Sequence, residues 1–467
     1  MNTTPTASPG SVHAGDIGAH VHPYTNLSVH RDVGPMVITR GEGIYVYDDQ
    51  GNRYIEGLAG LFCASLGFSN ARLADAADRQ MRQLPFYHAF GHKVSEPSVR
   101  LAQRLLAMAP VPMSKVFFAN SGSEANDTAM KIAWYYNNAL GRPDKKKVIS
   151  RLRAYHGVTI ASASLTGLPN NHRDFDLPMA RVLHTDCPHH YRYAQPGETE
   201  QAFATRCAQA LENLILAEGP ETVAAFIAEP IMASGGVIVP PATYFEKIQQ
   251  VLAKYDVLFI ADEVICGFGR TGNMFGTETF GLQPDMISLA KQLSSGYLPI
   301  SALMINEKIY GAMVEQSRRI GTFAHGFTYS GHPVCAAVAL ETLNIYEDER
   351  ILDHVREVAP HFQQRLAQLG DHPLVGQARG TGLIGAVELV ADRATKASFP
   401  VAAGVAAHAG QRALSHGVIT RALGDTVNMC PPLIIDKAQI DALVDGIRGA
   451  LDDTLEWVRS SPELGMR

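Results

Sequence analysis

The sequence predicts an α/β fold: a large domain on a mostly parallel sheet with helices on both faces, and a smaller α+β domain beside it. Three observations predict it. The 467 residues exceed what one ordinary core holds. Between about residues 86 and 335, short apolar runs alternate with helical stretches, the pattern of parallel strands buried on both faces. After about residue 335 the pattern changes to helical segments separated by two isolated strands.

Taken in order, residues 1–35 are rich in Ser, Thr, Pro, Gly and His and are expected to be a flexible segment. They lack the basic start and apolar core of a signal peptide. Residues 36–85 are assigned to the N-terminal part of the small domain. There, 43-GIYVYDDQGNRYIEGLAG-60 alternates apolar and polar residues about Asp49-Gln50-Gly51-Asn52, which predicts a β-hairpin, and a helix follows around Arg72 to Leu84. The large domain, 86–335, has predicted strands at 115–120, 147–150, 224–228, 257–261, 286–290 and 301–305. Its helix at 124–140 places Ala125, Ala129, Ile132, Ala133, Tyr136 and Leu140 on one face and is stopped by Gly141 and Pro143. A second helix is predicted at 244–255. Residues 336–467 form the rest of the small domain, entered by a helix at 333–347. Strands are predicted at 383–389 and 417–423. A last helix is capped by Asp436 with Gln439 three residues on, and its stripe is Ile440, Leu443, Val444, Ile447, Leu451 and Leu455.

Composition narrows the function. Net charge is −6 with no long basic run, which argues against nucleic acid or an anionic membrane surface as a partner. No apolar run reaches membrane-spanning length. The six cysteines are scattered without a C-x-x-C pair, as expected of reduced cytoplasmic thiols rather than a disulfide frame or zinc site. The pair His189-His190 near Cys187 has no second ligand pair at matching spacing and is expected in a surface loop.

Four stretches carry residues suited to chemistry. In 120-NSGSEANDTAM-130 a strand ends, Ser121-Gly122-Ser123 turns and a helix begins. Its unpaired N–H groups and dipole suit an anion, although an ordinary serine cap has the same look. In 154-AYHGVTIAS-162, Tyr155 and His156 follow a strand, where an aromatic can stack on a flat heterocycle or simply pack. Lys291 ends an apolar strand before a Ser/Gly-rich turn. A desolvated lysine there can form a Schiff base, or it can reach solvent. Asp262 and Glu263 end the strand in 259-FIADEVICGFGRTG-272, at the carboxyl edge where open parallel sheets bind ligands.

That last stretch also spaces Gly267, Gly269 and Gly272 as G-x-G-x-x-G, with Asp285 beyond, so an NAD-dependent oxidoreductase is a remote alternative. The segment that follows, NMFGTETFGLQPD, has no helical period, and no helix is expected to receive a pyrophosphate. Together the four stretches offer a phosphate cradle, a stacking aromatic, a carboxylate and an apolar-flanked lysine. Pyridoxal phosphate requires that set.

From about Leu27 to the C-terminus the chain resembles the class III pyridoxal-phosphate aminotransferases, especially the bacterial (S)-selective amine:pyruvate or ω-transaminases. The resemblance rests on GLFCASLGF, LPFYHAF, NSGSEAND, YHGVTIAS, AEPIMASGGVIVPP, ADEVICGFGRTG, AKQLSSGYLPISA, GFTYSGHPVCAA and GVITRALGD…CPPLII. It implies a fold-type I enzyme with a seven-stranded sheet. It makes Lys291 the Schiff-base lysine and Asp262 the partner of the pyridinium nitrogen. Val264 would lie under the ring and Tyr155 over it, with Ser121, Gly122 and Ser123 at the phosphate. It also places His156 and Glu229 at the cofactor, and Thr328 at the phosphate of a partner subunit. That last placement implies a homodimer with shared active sites, the pairing of dimers into tetramers being left open. Leu61, Phe62, Phe90, Tyr155 and Ala233 would line the substrate pocket, and Arg421 would bind a keto acid carboxylate.

The implied reaction is a ping-pong transfer from a primary amine or ω-amino acid to pyruvate, giving alanine and a ketone or aldehyde; taurine, β-alanine or a diamine are alternative donors. Where the 4-aminobutyrate branch carries a glutamate and an arginine, this chain has Ser234 and Asn428, which argues against a 2-oxoglutarate-using enzyme. Phe62 stands where several amine:pyruvate relatives have tryptophan, and Met232-Ala233-Ser234 replaces the commoner Gln-Gly-Ala.

Overall fold

The computed structural model describes residues 11–461 and Leu464. At its centre is a seven-stranded sheet. Its spatial order is Lys115–Ala119, Ser301–Ile305, Met286–Leu289, Leu258–Asp262, Val223–Ala228, Lys147–Arg151 and Val182–Thr185. Ser301–Ile305 runs antiparallel to both neighbours and the other pairings are parallel. Every residue of Val223–Ala228 and Leu258–Asp262 is buried, because helices cover both faces and leave no solvent side to favour alternation. Six of the seven strands were legible as apolar runs. Val182–Thr185 was not: it is a four-residue edge strand containing His184, and half its positions are only partly buried.

The helix Gly122–Ala139 starts at the Ser121 cap, whose Oγ accepts from Glu124 N. The expected hairpin is present as Tyr45–Asp48 and Arg53–Glu56. The last helix, Lys437–Arg459, has the capping box of Asp436 and Gln439, and its six predicted stripe residues are all buried.

Four expectations are corrected. First, within the segment expected to be flexible, residues 11–35 form two short helices, Val12–Ala19 and Leu27–Val33, with caps from Ser11 and Asn26; residues 1–10 of that expectation lie outside the described residues. Second, the single strand expected at 417–423 is two. Val418–Ile419 pairs in parallel with Arg53–Glu56, whereas Arg421–Leu423 pairs with Thr426–Met429 in a different sheet. Thr420 marks the crossing, its hydroxyl donating to Asn428 O.

Third, Cys187 and His189 are buried, 4% and 3% exposed, and do not form a surface loop. His189 packs against Glu388, which is already shared by Arg192 and Arg379. Burial, with Arg379 nearby, pushes His189 down to about 3 and keeps it neutral. Fourth, a one-turn helix, Gly276–Phe280, does follow the glycine-rich stretch. Its first N–H groups are already taken by Glu263, which accepts from Gly276 and Thr277. The anion at that helix start is therefore the protein's own carboxylate.

The glycine-rich stretch is a turn, and Arg270 within it ties that turn to the segments around Leu383 and Pro431. Its guanidinium is fully buried. It donates to the carbonyls of Leu383 and Pro431 and to Gln292 Oε1. Arg270→Ala leaves those acceptors unpaired in the interior, and a loss of about 3 kcal/mol is expected. A lowered midpoint in urea unfolding, compared with the unaltered protein, checks it.

Candidate active site

The carboxyl ends of the central strands open on a cavity of 380 Å³. Asp262 ends the Leu258–Asp262 strand at its floor and is 4% exposed. Three donors hold its carboxylate. Asn126 Nδ2 and His156 Nδ1 each lie 2.8 Å from Oδ2, and Val264 N lies 3.1 Å from Oδ1. Asn126 donates as well to the carbonyl of His156, at 2.8 Å, which locks the helix to the loop after Lys147–Arg151. With Nδ1 directed at Asp262, His156 leaves Nε2 buried and without a partner.

Ser121, Gly122 and Ser123 line one end of the cavity. A Cβ on Gly122 would lie 3.0 Å from Val264 Cγ1, so any larger residue there would push Val264 aside. Gly157 has φ +132°, and its Cβ would lie 2.4 Å from Ser123 Oγ. Instead, Ser123 Oγ accepts from Val158 N at 3.1 Å and ties the two loops together. Lys291 faces the same cavity. The strand before it ends at Leu289, and Lys291 opens a 3₁₀ turn with φ +47°, an unfavourable backbone for a lysine. Gln292 secures the turn by donating to the carbonyls of Ile265 and Gly267, both at 2.8 Å.

Glu229 is fully buried beside Tyr155, whose N–H donates to Oε1 at 3.1 Å. Burial, opposed by His156 and Arg151, raises its carboxyl to about 7. The Tyr155 phenol is raised by burial and by Tyr24, whose hydroxyl reaches it. Tyr24 also lies beneath the Arg421 guanidinium, at 5.6 Å.

The structure therefore brings Ser121, Gly122, Ser123, Tyr155, His156, Glu229, Asp262, Val264 and Lys291 around one cavity. Thr328 is in an exposed turn and does not line the cavity of its own chain. Leu61 and Phe90 are both 51% exposed, Phe90 along a separate surface groove with Phe117 and His325. Phe62 and Ala233 are buried and sit behind the wall of this cavity. They pack in one apolar cluster with Ile231, Ile265 and Cys266, which do face the cavity. Exclusion from water takes large and small apolar side chains alike into that layer.

Two residues were missed. Asn126 carried a weak signal, a buried amide in the first turns of its helix, but Thr128 and Asn137 of the same helix are buried as well. Tyr24 carried none, because its segment has no apolar period.

The class III aminotransferase family, "Aminotransferase class-III", matches residues 27–451. The chain belongs to the class III aminotransferases. Among solved structures, the ω-transaminase of Pseudomonas jessenii in complex with PMP superimposes with a TM-score of 0.95 at 58% identity, covering 97% of this chain and 100% of that one. Curated relatives include gamma aminobutyrate transaminase 3, chloroplastic, of Solanum lycopersicum, 51% identical over 97% of this chain and 88% of that protein. Vanillin aminotransferase of Capsicum chinense is 52% identical over 91% of this chain and 92% of that protein.

As a fold-type I enzyme, this aminotransferase uses pyridoxal phosphate, and its residues fit that group. The cavity is of the size cofactor sites have. Asp262 Oδ1 accepts only a backbone N–H, so it has capacity left for a protonated ring nitrogen. The helix start at Ser121–Gly122 offers N–H groups and a positive dipole end to a phosphate.

Glu229 yields a pH test of this aminotransferase. Folding favours its neutral acid, so its contribution to stability is complete below the ordinary value of 4.5 and is lost as pH rises through about 7. Glu229→Gln is expected to remove up to about 3 kcal/mol of the stability lost between pH 4.5 and 8. Urea midpoints of both proteins across that range check it.

Proposed function

We propose that this aminotransferase carries an amino group from a primary amine or ω-amino acid to pyruvate, releasing alanine and a ketone or aldehyde. The observation that supports a keto acid acceptor is Arg421. Its half-buried guanidinium faces Tyr24 near Tyr155, and among the described residues no carboxylate pairs with it. A planar cation facing a tyrosine ring, with no carboxylate paired to it among the described residues, suits a carboxylate in bidentate contact. Asn428, opposite Arg421 in the sheet, is fully buried with its amide donating to Ala233 O. It supplies no second cation for a dicarboxylate such as 2-oxoglutarate. The names of the relatives add one further candidate donor, 4-aminobutyrate.

Pyridoxal phosphate, when bound, supplies the aldehyde that takes up the amino group and the ring that withdraws electrons from the reacting carbon. Lys291 is the residue that would hold it covalently. Lys291 Nζ, when free, would take the proton from the carbon bearing the nitrogen and return one. Asp262 would keep a proton on the ring nitrogen, with Asn126 and His156 fixing the orientation of its carboxylate. Ser121, Gly122 and Ser123 would hold the phosphate, and Val264 and Tyr155 would confine the ring. Arg421 orients the acceptor carboxylate and is idle for apolar amines. Thr328, which does not line its own chain's cavity, is assigned to the phosphate of a second copy, which makes the active unit a homodimer. Six free cysteines, five of them buried, support a reducing, cytoplasmic setting.

Purified enzyme given pyruvate and a panel of arylalkylamines, diamines, β-alanine, taurine and 4-aminobutyrate is expected to form alanine. Absence of alanine with every donor sinks the pyruvate reading. Lys291→Ala is expected to lose the visible absorbance of lysine-bound cofactor while still binding the phosphate group. Arg421→Ala is expected to raise KM for pyruvate roughly 10- to 100-fold and to change KM for an uncharged amine little. Steady-state kinetics at saturating co-substrate separates the two.

A further inference from the structure

The described N-terminal segment is held in an unusual way. Its two helices are eight and seven residues long, too short to persist alone. The first buries no residue, and the second buries only His30. His30 points at Asp16, with Nε2 2.8 Å from Oδ2. His22 Nε2 lies 2.8 and 2.9 Å from the two oxygens of the same carboxylate, and His20 Nδ1 lies 3.1 Å from Oδ1. The rings crowd one another, with centroids 4.6 Å apart for His20 and His22 and 4.1 Å for His22 and His30. Donor atoms of Asp16, His22 and His30 all fall within 4.8 Å of one another.

The donor atoms of Asp16, His22 and His30 converge on a common point. Two imidazoles and one carboxylate, with an open fourth position for water, form a donor set for a borderline divalent ion, zinc above all; hard oxygen-seeking ions such as magnesium or calcium do not match it. Around a tetrahedral ion with bonds of about 2 Å, donor atoms stand roughly 3.3 Å apart. The cluster therefore opens by about half an ångström to admit one.

We propose that Asp16, His22 and His30 form a structural site for a zinc-like divalent cation, which staples the N-terminal segment in place of a hydrophobic core. Tyr24 lies between two of the ligands in the chain, so the staple also fixes the ring that faces Arg421 and Tyr155. The site is separate from the cofactor cavity and does not depend on which amine or keto acid is used.

The test uses tag-free holoenzyme, dialysed against chelator and titrated with Co²⁺ alone, whose visible d–d bands report coordination geometry. The expected result is saturable uptake of a single Co²⁺ per chain with intense tetrahedral bands, displaced by Zn²⁺. His22→Ala and His30→Ala are each expected to weaken uptake roughly 100-fold. Trypsin cleavage at Arg31, followed by mass spectrometry, is expected to slow when Zn²⁺ is present in the unaltered protein and not in the variants. The visible absorbance of bound cofactor confirms that the variants remain folded. No saturable uptake by the unaltered protein overturns the proposal, as does equal uptake by the His22→Ala/His30→Ala double variant, or weak octahedral bands.

Discussion

The site depends on one buried carboxylate. Taking Asp262 out of water costs several kcal/mol unless its oxygens are satisfied, and the donors that satisfy them come from separate parts of the chain. Asn126 stands 136 residues away in sequence and His156 stands 106 away, while Val264 is only two positions on. A helix start, a strand-end loop and a turn are thus drawn to the same strand end. The anion that unites them is also what a protonated ring nitrogen requires. Folding and cofactor chemistry therefore place the same demand on this position.

The lysine is fixed from the opposite side. Its left-handed backbone is held because the next residue, Gln292, is committed to two carbonyls of the glycine-rich turn and accepts from Arg270. Arg270 in turn reaches the carbonyls of Leu383 and Pro431. Local strain at Lys291 is thus sustained by a network that also reaches the segments around Leu383 and Pro431. The turn resembles a dinucleotide fingerprint only in its glycines. Its short helix is closed to phosphate because Glu263 already occupies the N–H groups that an anion would need.

Two arginines show how pairing separates structural from reactive cations. Arg379 is buried against Glu388 and accounts for that carboxylate together with Arg192. Arg421 faces a tyrosine ring, and among the described residues no carboxylate pairs with it. The switch of sheets at Thr420 puts it there: had 417–423 continued as one strand beside Arg53–Glu56, Arg421 would extend that sheet instead of pairing with Asn428.

The sequence by itself determined the sheet-and-helix order, the helix caps at Ser121 and Asp436, and the family. It also determined the residues that converge on the cavity, from Ser121 through Asp262 to Lys291. These are written in local signals: apolar runs, capping pairs, and functional groups placed where strands end. Only the tertiary structure decided the rest. It put Phe62 and Ala233 behind the wall, split a seven-residue run between two sheets, buried His189, and enlisted Asn126 beneath the carboxylate. It also folded an apparently featureless N-terminal segment around Asp16 and brought Tyr24 to face Arg421. The physical reason is common to all of these. Each depends on which distant groups must share a low-dielectric space and satisfy one another's charges and hydrogen bonds, and no local period records that.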